Sequence, residues 1–236
     1  MHRFFLPDIQ QPALSAAEAH HATHVLRLKV GDTLNVFDGR GHEAQCTIAE
    51  IVKDTVRLKL LSQSTSPALP CRITLAQAIP KKSMDLIVQK ATELGVASII
   101  PLMSDRTLVK IDEDSKKLDR WREIALDACK QCGNNWLPEI QSPQTAHDFL
   151  AALPKADLKL IASLQPDAKP LKAILLGPVA SLLILIGPEG DFTPAEVNLA
   201  KNAGCRPVTL GPIILRSETA AIYCLSVLSH ELFSAA

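Results

Sequence analysis

The chain has 236 residues, 47% of them hydrophobic, and its 25 basic and 25 acidic side chains cancel. That content supports one large domain or two small ones with a packed core, and it excludes an unfolded polar chain. The neutral balance also excludes a strongly basic nucleic-acid arm. Residues 1–70 carry 7 basic and 7 acidic groups, residues 71–130 carry 11 and 9, and residues 131–236 carry 7 and 9. Any cationic face has to be assembled by folding.

The longest apolar run, residues 173–187, is interrupted by Gly177 and Pro178 and falls short of the ~20 residues that cross a bilayer. The start, Met1-His-Arg-Phe-Phe-Leu-Pro7, lacks the apolar stretch of a secretory leader, so a cytoplasmic location is expected. The six cysteines, at 46, 71, 129, 132, 205 and 224, read as reduced core thiols. Cys129 and Cys132 have the spacing of a redox or metal pair, but no second pair accompanies them.

Along the chain, residues 33–37, 43–48 and 55–61 are short alternating runs broken by turn residues such as Asp38-Gly39 and Gly41, as in a small β-barrel. A helix over 16–28 is predicted between them, with Ser15 and Glu18 as a capping box. His20, His21 and His24 lie on it, two of them four apart on one face, but no Glu follows the first His and no third ligand is evident, and no metal is expected. The polar, proline-containing stretch 62–70 reads as a linker, which divides the chain into domains at 1–66 and 71–236.

Beyond it, strand and helix alternate. Strand 72–79, helix 83–94 capped by Gly95, and strand 97–102 are followed by helices 118–132 and 146–153. Strands 158–163 and 182–186, helix 194–203, strand 207–210 and helix 217–233 complete the series. Near-continuous apolar strands such as Leu182-Leu-Ile-Leu-Ile186 predict a mostly parallel sheet covered on both faces, hence an α/β domain. In such sheets ligands lie beyond the carboxyl ends of strands. Two of those ends carry Gly-Pro turns, Leu185-Ile-Gly-Pro-Glu-Gly190 and Thr209-Leu-Gly-Pro-Ile-Ile-Leu-Arg216, which expose backbone groups without bulky side chains. Leu176-Gly-Pro178 has the same minimal pattern and reads as a loop. No Gly-x-Gly-x-x-Gly follows the first strand of this half, which disfavours a dinucleotide enzyme.

Six ordered segments together resemble the ribosomal RNA small subunit methyltransferase E family, of the knotted SPOUT class. They are Arg3-Phe-Phe5, His24-Val-Leu-Arg27 with Gly31-Asp32, Gln89-Lys-Ala-Thr-Glu-Leu-Gly95, Pro101 with Asp105-Arg106, Ile186-Gly-Pro-Glu-Gly190, and Leu210-Gly-Pro-Ile-Ile-Leu-Arg-Ser-Glu-Thr-Ala-Ala221. The resemblance spans nearly the whole chain. It implies an N-terminal PUA-like RNA-binding barrel, a C-terminal α/β trefoil-knot domain holding S-adenosylmethionine, and a homodimer. It also implies methylation of uracil N3 at one uridine of 16S rRNA in the small ribosomal subunit. Three departures stand out: Asp191 where the family usually has a second glycine, Ile213 where it has arginine, and Asn134 with Trp136 where arginines are frequent.

The cofactor residues so implied are Leu164, then Ile186, Gly187, Pro188, Glu189 and Gly190, then Leu210, Gly211 and Leu215, and finally Ser217, Thr219 and Ala220. Uracil N3 gains a usable lone pair only on losing its proton, so a cation is needed near O2 and O4, and Arg216 is the candidate. Ser217 is read as the cap of the following helix, and Glu93 as a candidate proton acceptor. Arg3, Arg27 and Arg106 are expected to contact RNA, with Lys29 extending a basic edge. The last helix, apolar at Ala220, Ala221, Leu225 and Leu228, predicts a second buried contact such as a dimer interface. Alternatives are a SPOUT enzyme acting on a ribose 2′-hydroxyl or another base of rRNA or tRNA, and a non-catalytic ribosome-assembly factor.

Overall fold

The computed structural model describes residues 2–53, 55–108 and 116–233. The chain divides into two compact units, one formed by residues 1–68 and 126–137, the other by residues 69–125 and 138–236.

In the first unit β1 (Arg3–Phe5) pairs in parallel with β2 (Thr33–Phe37), and β3 (His42–Val52) and β4 (Thr55–Thr65) follow antiparallel, giving a four-stranded sheet in sequence order. Alternate residues of β2 and β3, including Leu34, Val36, Ala44, Cys46 and Ile48, are buried with Phe4 and Val56 as one core, as period-2 patterning requires. The stretch 62–65 departs from the linker reading. It extends β4 and pairs with residues 42–45 after a register shift. Its side chains are exposed on both faces, so only backbone pairing holds it and no apolar alternation marks it.

The predicted helix 16–28 also divides. Helix α1 (Ala16–His20) passes into a π-helical turn, His21–Val25, where Leu26 N–H donates to the His21 carbonyl at 3.0 Å. Arg27 then ends it with φ +57°. Ser15 caps α1 by accepting from Glu18 N–H. Glu18 does not complete the box, because its carboxylate pairs with Lys130, both side chains being largely buried.

The second unit is an eight-stranded parallel sheet. Its members are β5 (Arg72–Ala78), β6 (Ser98–Met103), β7 (Glu139–Ile140), β8 (Gln144–Thr145), β9 (Leu158–Ala162), β10 (Lys169–Pro170), β11 (Ser181–Ile186) and β12 (Arg206–Thr209). The order is β10-β12-β9-β11-β5-β6-β7, with β8 also on β6. Helices α2 (Met84–Glu93), α4 (Ala146–Ala151) and α5 (Pro194–Asn202) lie between these strands, as does α3 (Lys116–Cys132), whose residues 126–132 belong to the first unit; α6 (Ser217–Phe233) follows β12. Because crossovers cover the faces, central strands are apolar throughout: Leu182 to Ile186 of β11 are all buried, each worth about 1.5–3 kcal/mol when fully buried. Helix α5 starts with a complete capping box, Thr193 accepting from Glu196 N–H and the Glu196 carboxylate accepting from Thr193 N–H, with Pro194 at its first position.

Cysteines 46, 71, 129, 205 and 224 are buried, whereas Cys132 is exposed at the end of α3 and is not a core thiol. Burial, and secondarily Cys132, pushes the Cys129 thiol up to about 12, so it stays protonated and inert at neutral pH. Among the described residues no helix is long and apolar enough to cross a membrane.

Candidate active site

Strands β12, β9 and β11 are neighbours in the sheet and run parallel, so their carboxyl ends emerge side by side. The loops leaving them enclose an open cleft. The loop after β9 contributes Ser163 and Leu164; that after β11 contributes Gly187, Pro188, Glu189 and Asp191; that after β12 contributes Leu210, Gly211 and the 213–215 segment. Ser217 and Ala220 of α6 close it. All the residues expected to bind cofactor line this cleft except Gly190 and Thr219, while Leu176-Gly-Pro178 stays outside.

Two backbone features shape the turns. Gly211 has φ +124°, a conformation open essentially to glycine, and its N–H and C=O both meet the Thr209 hydroxyl, at 3.4 and 3.2 Å. Asp191, where a second glycine was expected, has φ +60°. Aspartate is among the few side chains that visit this region, because a short polar group bonds locally: Asp191 Oδ1 accepts from Phe192 N–H at 2.8 Å, and Asp191 N–H donates to the Pro188 carbonyl at 3.0 Å.

Ser217 is not a cap for α6. Its hydroxyl donates to the Gly187 carbonyl at 2.6 Å and accepts from the Gln77 side-chain amide at 2.9 Å. Gln77, fully buried near the end of β5 and paired in register with Ile186, donates its other amide hydrogen to the Ala78 carbonyl at 2.8 Å. This relay ties the turn after β11 to the start of α6. Gln77 was not foreseen from the sequence; the available signal was an amide side chain in the otherwise largely apolar strand Ile73-Thr-Leu-Ala-Gln-Ala78.

Around the mouth, the Glu189 carboxylate accepts from Lys81 N–H at 2.9 Å, and the Arg106 guanidinium donates to the Gly190 carbonyl. Asp105 N–H donates to Glu196 of α5 at 3.0 Å, so the loop after β6 is fastened both to the loop after β11 and to the helix that follows it. Arg216 is exposed, lies between the cleft-lining Leu215 and Ser217, and among the described residues forms no ion pair, to Glu189 and Glu218 included. Leu164, Ile213 and Ile214 expose apolar side chains at the rim.

Other expected residues lie elsewhere. Glu93, on α2, is held by Lys90 through contacts of 2.9 and 3.0 Å and does not line the cleft. In the first unit Arg3 is 13% exposed; it pairs with Glu43, donates to Asn135 at 2.7 Å and lies over the Phe37 ring. It is an internal tie, leaving Arg27 and Lys29 as the exposed cations of that predicted edge. Asn135 and Trp136 are likewise engaged inside this unit, through the hydroxyl and carbonyl of Ser66.

The family description "RNA methyltransferase domain" matches residues 67–229, which carry the parallel sheet and the cleft built from the turns after β9, β11 and β12, so the second unit is an RNA methyltransferase domain. The description "RNA methyltransferase PUA domain" matches residues 14–61, so the first unit is PUA-like. The ribosomal RNA small subunit methyltransferase E of Bacillus subtilis is 32% identical over 98% of this chain and 97% of its own. The chain belongs to the ribosomal RNA small subunit methyltransferase E family. The Neisseria gonorrhoeae member, solved bound to S-adenosyl methionine, is 32% identical with a TM-score of 0.89, covering 98% of each chain. A Legionella pneumophila methyltransferase solved with its bound cofactor is 37% identical, also at 0.89, over 97% of this chain and 96% of that one.

Proposed function

We propose that this protein transfers a methyl group from S-adenosylmethionine to N3 of a uridine in 16S rRNA of the small ribosomal subunit, in the cytoplasm. The observation that carries the reading is the cleft itself. Its apolar walls at Leu164, Ile186, Leu210 and Leu215 suit an adenosine, its Gly-Pro turns offer backbone groups, and its two carboxylates, Glu189 and Asp191, suit a cationic donor. S-adenosylmethionine supplies an electrophilic methyl on a positively charged sulfur.

The protein's part is to align acceptor with donor and to exclude water. The relay from Gln77 through Ser217 to Gly187 holds two cofactor turns in fixed relation. Arg216, exposed beside the cleft and without an ion pair among the described residues, provides positive charge for the uracil oxygens as N3 gives up its proton to solvent. Glu93 does not line the cleft and is given no part in the transfer. N3 lies on the pairing edge, so the uridine enters unpaired or flipped.

Arg27 and Lys29 of the first unit and Arg106 of the second are the RNA phosphate contacts of this reading, supported by their exposure. The first unit acts as a PUA-like barrel for RNA, and the second as a trefoil knot, supported by the three loops that converge on one cleft. A homodimer is supported by α6 and the neighbouring α2. Ala221, Leu225 and Leu228 of α6 are already buried within the chain, but Tyr223 and, on α2, Leu86 remain exposed.

The test is incubation with radiolabelled methyl donor and, separately, unmodified small subunits, large subunits and bulk tRNA. Label in the small subunit, at a position where reverse transcription then arrests because the pairing edge is blocked, is expected. Label confined to tRNA or the large subunit would refute the assignment.

A further inference from the structure

The charged side chains lining the cleft are Glu189 and Asp191, and among its described residues no lysine, arginine or histidine lines it. Glu189 is occupied in part by the Lys81 backbone amide. Asp191 is half-buried, with one oxygen on its neighbour's amide. It also lies against Gly187: a Cβ built there would stand 2.9 Å from Asp191 Oδ1. The carboxylate is therefore fixed against the turn that Ser217 holds. The nearby cation Arg106 is directed to the Gly190 carbonyl and is not part of the lining.

We infer that Asp191 is a specificity-determining residue that makes the cleft favour the charged methyl donor over its spent product. The inference rests on the cleft being the donor site. Donor and product share the adenosine and the amino-acid ends, so apolar and backbone contacts to those parts cancel in the ratio of their affinities. They differ in the sulfur, a sulfonium in one and a neutral thioether in the other. A carboxylate fixed in the cleft interacts with that extra positive charge and with nothing corresponding in the product. Its consequence is easier release of product after transfer.

The experiment is calorimetric titration of the full chain with S-adenosylmethionine and with S-adenosylhomocysteine, for the native protein, Asp191→Asn and Asp191→Gly. Asparagine retains the oxygen that accepts from Phe192 and tolerates the left-handed backbone, and glycine removes the backbone constraint altogether. The native protein is expected to prefer the donor, and both variants to lower the donor-to-product affinity ratio by roughly three- to ten-fold, mainly by weakening the donor. Added salt is expected to narrow the native ratio and to leave that of Asp191→Asn nearly unchanged. An unaltered ratio in Asp191→Asn, or equal weakening of both ligands, would overturn the inference while leaving the donor site intact. Failure of the native protein to bind either ligand would overturn the donor site itself.

Discussion

The Ser217 hydroxyl donates a 2.6 Å hydrogen bond to the Gly187 carbonyl, thirty residues earlier in the chain. It joins the first residue of α6 to the turn that follows β11, and the Gln77 amide completes it from β5. Replacing Ser217 by alanine leaves the buried Gly187 carbonyl and one Gln77 amide hydrogen without partners. The expected loss is about 1–3 kcal/mol, seen as a lower melting temperature together with roughly ten-fold weaker donor binding, about 1.4 kcal/mol. Donor affinity equal to the native value would mean that the relay does not shape the cofactor turns.

Arg216 is predicted to act on transfer and not on donor binding. Arg216→Ala should bind S-adenosylmethionine nearly as tightly as the native protein, while single-turnover transfer slows by about 10²–10³-fold. Arg216→Lys should recover part of the rate by keeping the charge. Parallel loss of binding and transfer would make Arg216 a structural residue of the turn.

The Glu18–Lys130 pair is largely buried, and among the described residues Glu18 Oε2 has no hydrogen-bond partner. Lys130→Ala would strand that carboxylate, with an expected cost of about 3 kcal/mol in denaturant unfolding. The double replacement Glu18→Leu with Lys130→Met should recover most of it, because apolar pairs often replace buried ion pairs without loss. A single variant as stable as the native protein would show that water reaches the carboxylate.

Asp38 supplies a pH dependence. Burial would raise its pKa, but the Arg40 and His42 backbone amides and the His42 ring outweigh burial and hold it below the ordinary 3.8. A carboxyl lowered on folding contributes stability that is fully present above 3.8 and is lost as pH falls through the folded-state value. Native stability is therefore expected to decline in acid below pH 3.8, and Asp38→Asn to flatten that decline while lowering stability at neutral pH. An identical acid slope in the variant would contradict this.

Much of the architecture was legible because periodicity and punctuation agree. The run Leu182-Leu-Ile-Leu-Ile186 could only be a strand buried on both faces, and Gly95 stopped α2 near its observed end. The cleft followed from Gly-Pro turns after β11 and β12, the two strands that flank β9 in the sheet. Residues 62–65 were not legible, because an exposed strand held by backbone bonds leaves no apolar pattern. The π turn at His21–Val25 and the pairs of β7, β8 and β10 are too short for any period to register. The enclosure of Arg3 was not legible, because charge in sequence says nothing of whether Glu43 and Asn135 will surround it. Ser217 followed the rule for helix caps, yet its partner thirty residues away could be found only in three dimensions.

The central claim is methylation of uracil N3, and nucleoside mass spectrometry tests it most directly. Small subunits lacking the modification would be incubated with the protein and a heavy-isotope methyl donor, and their 16S rRNA digested to nucleosides. The account predicts heavy 3-methyluridine, absent with Arg216→Ala on the same timescale. Heavy 2′-O-methylated nucleoside, a different methylated base, or no heavy methyl in the 16S rRNA would contradict it.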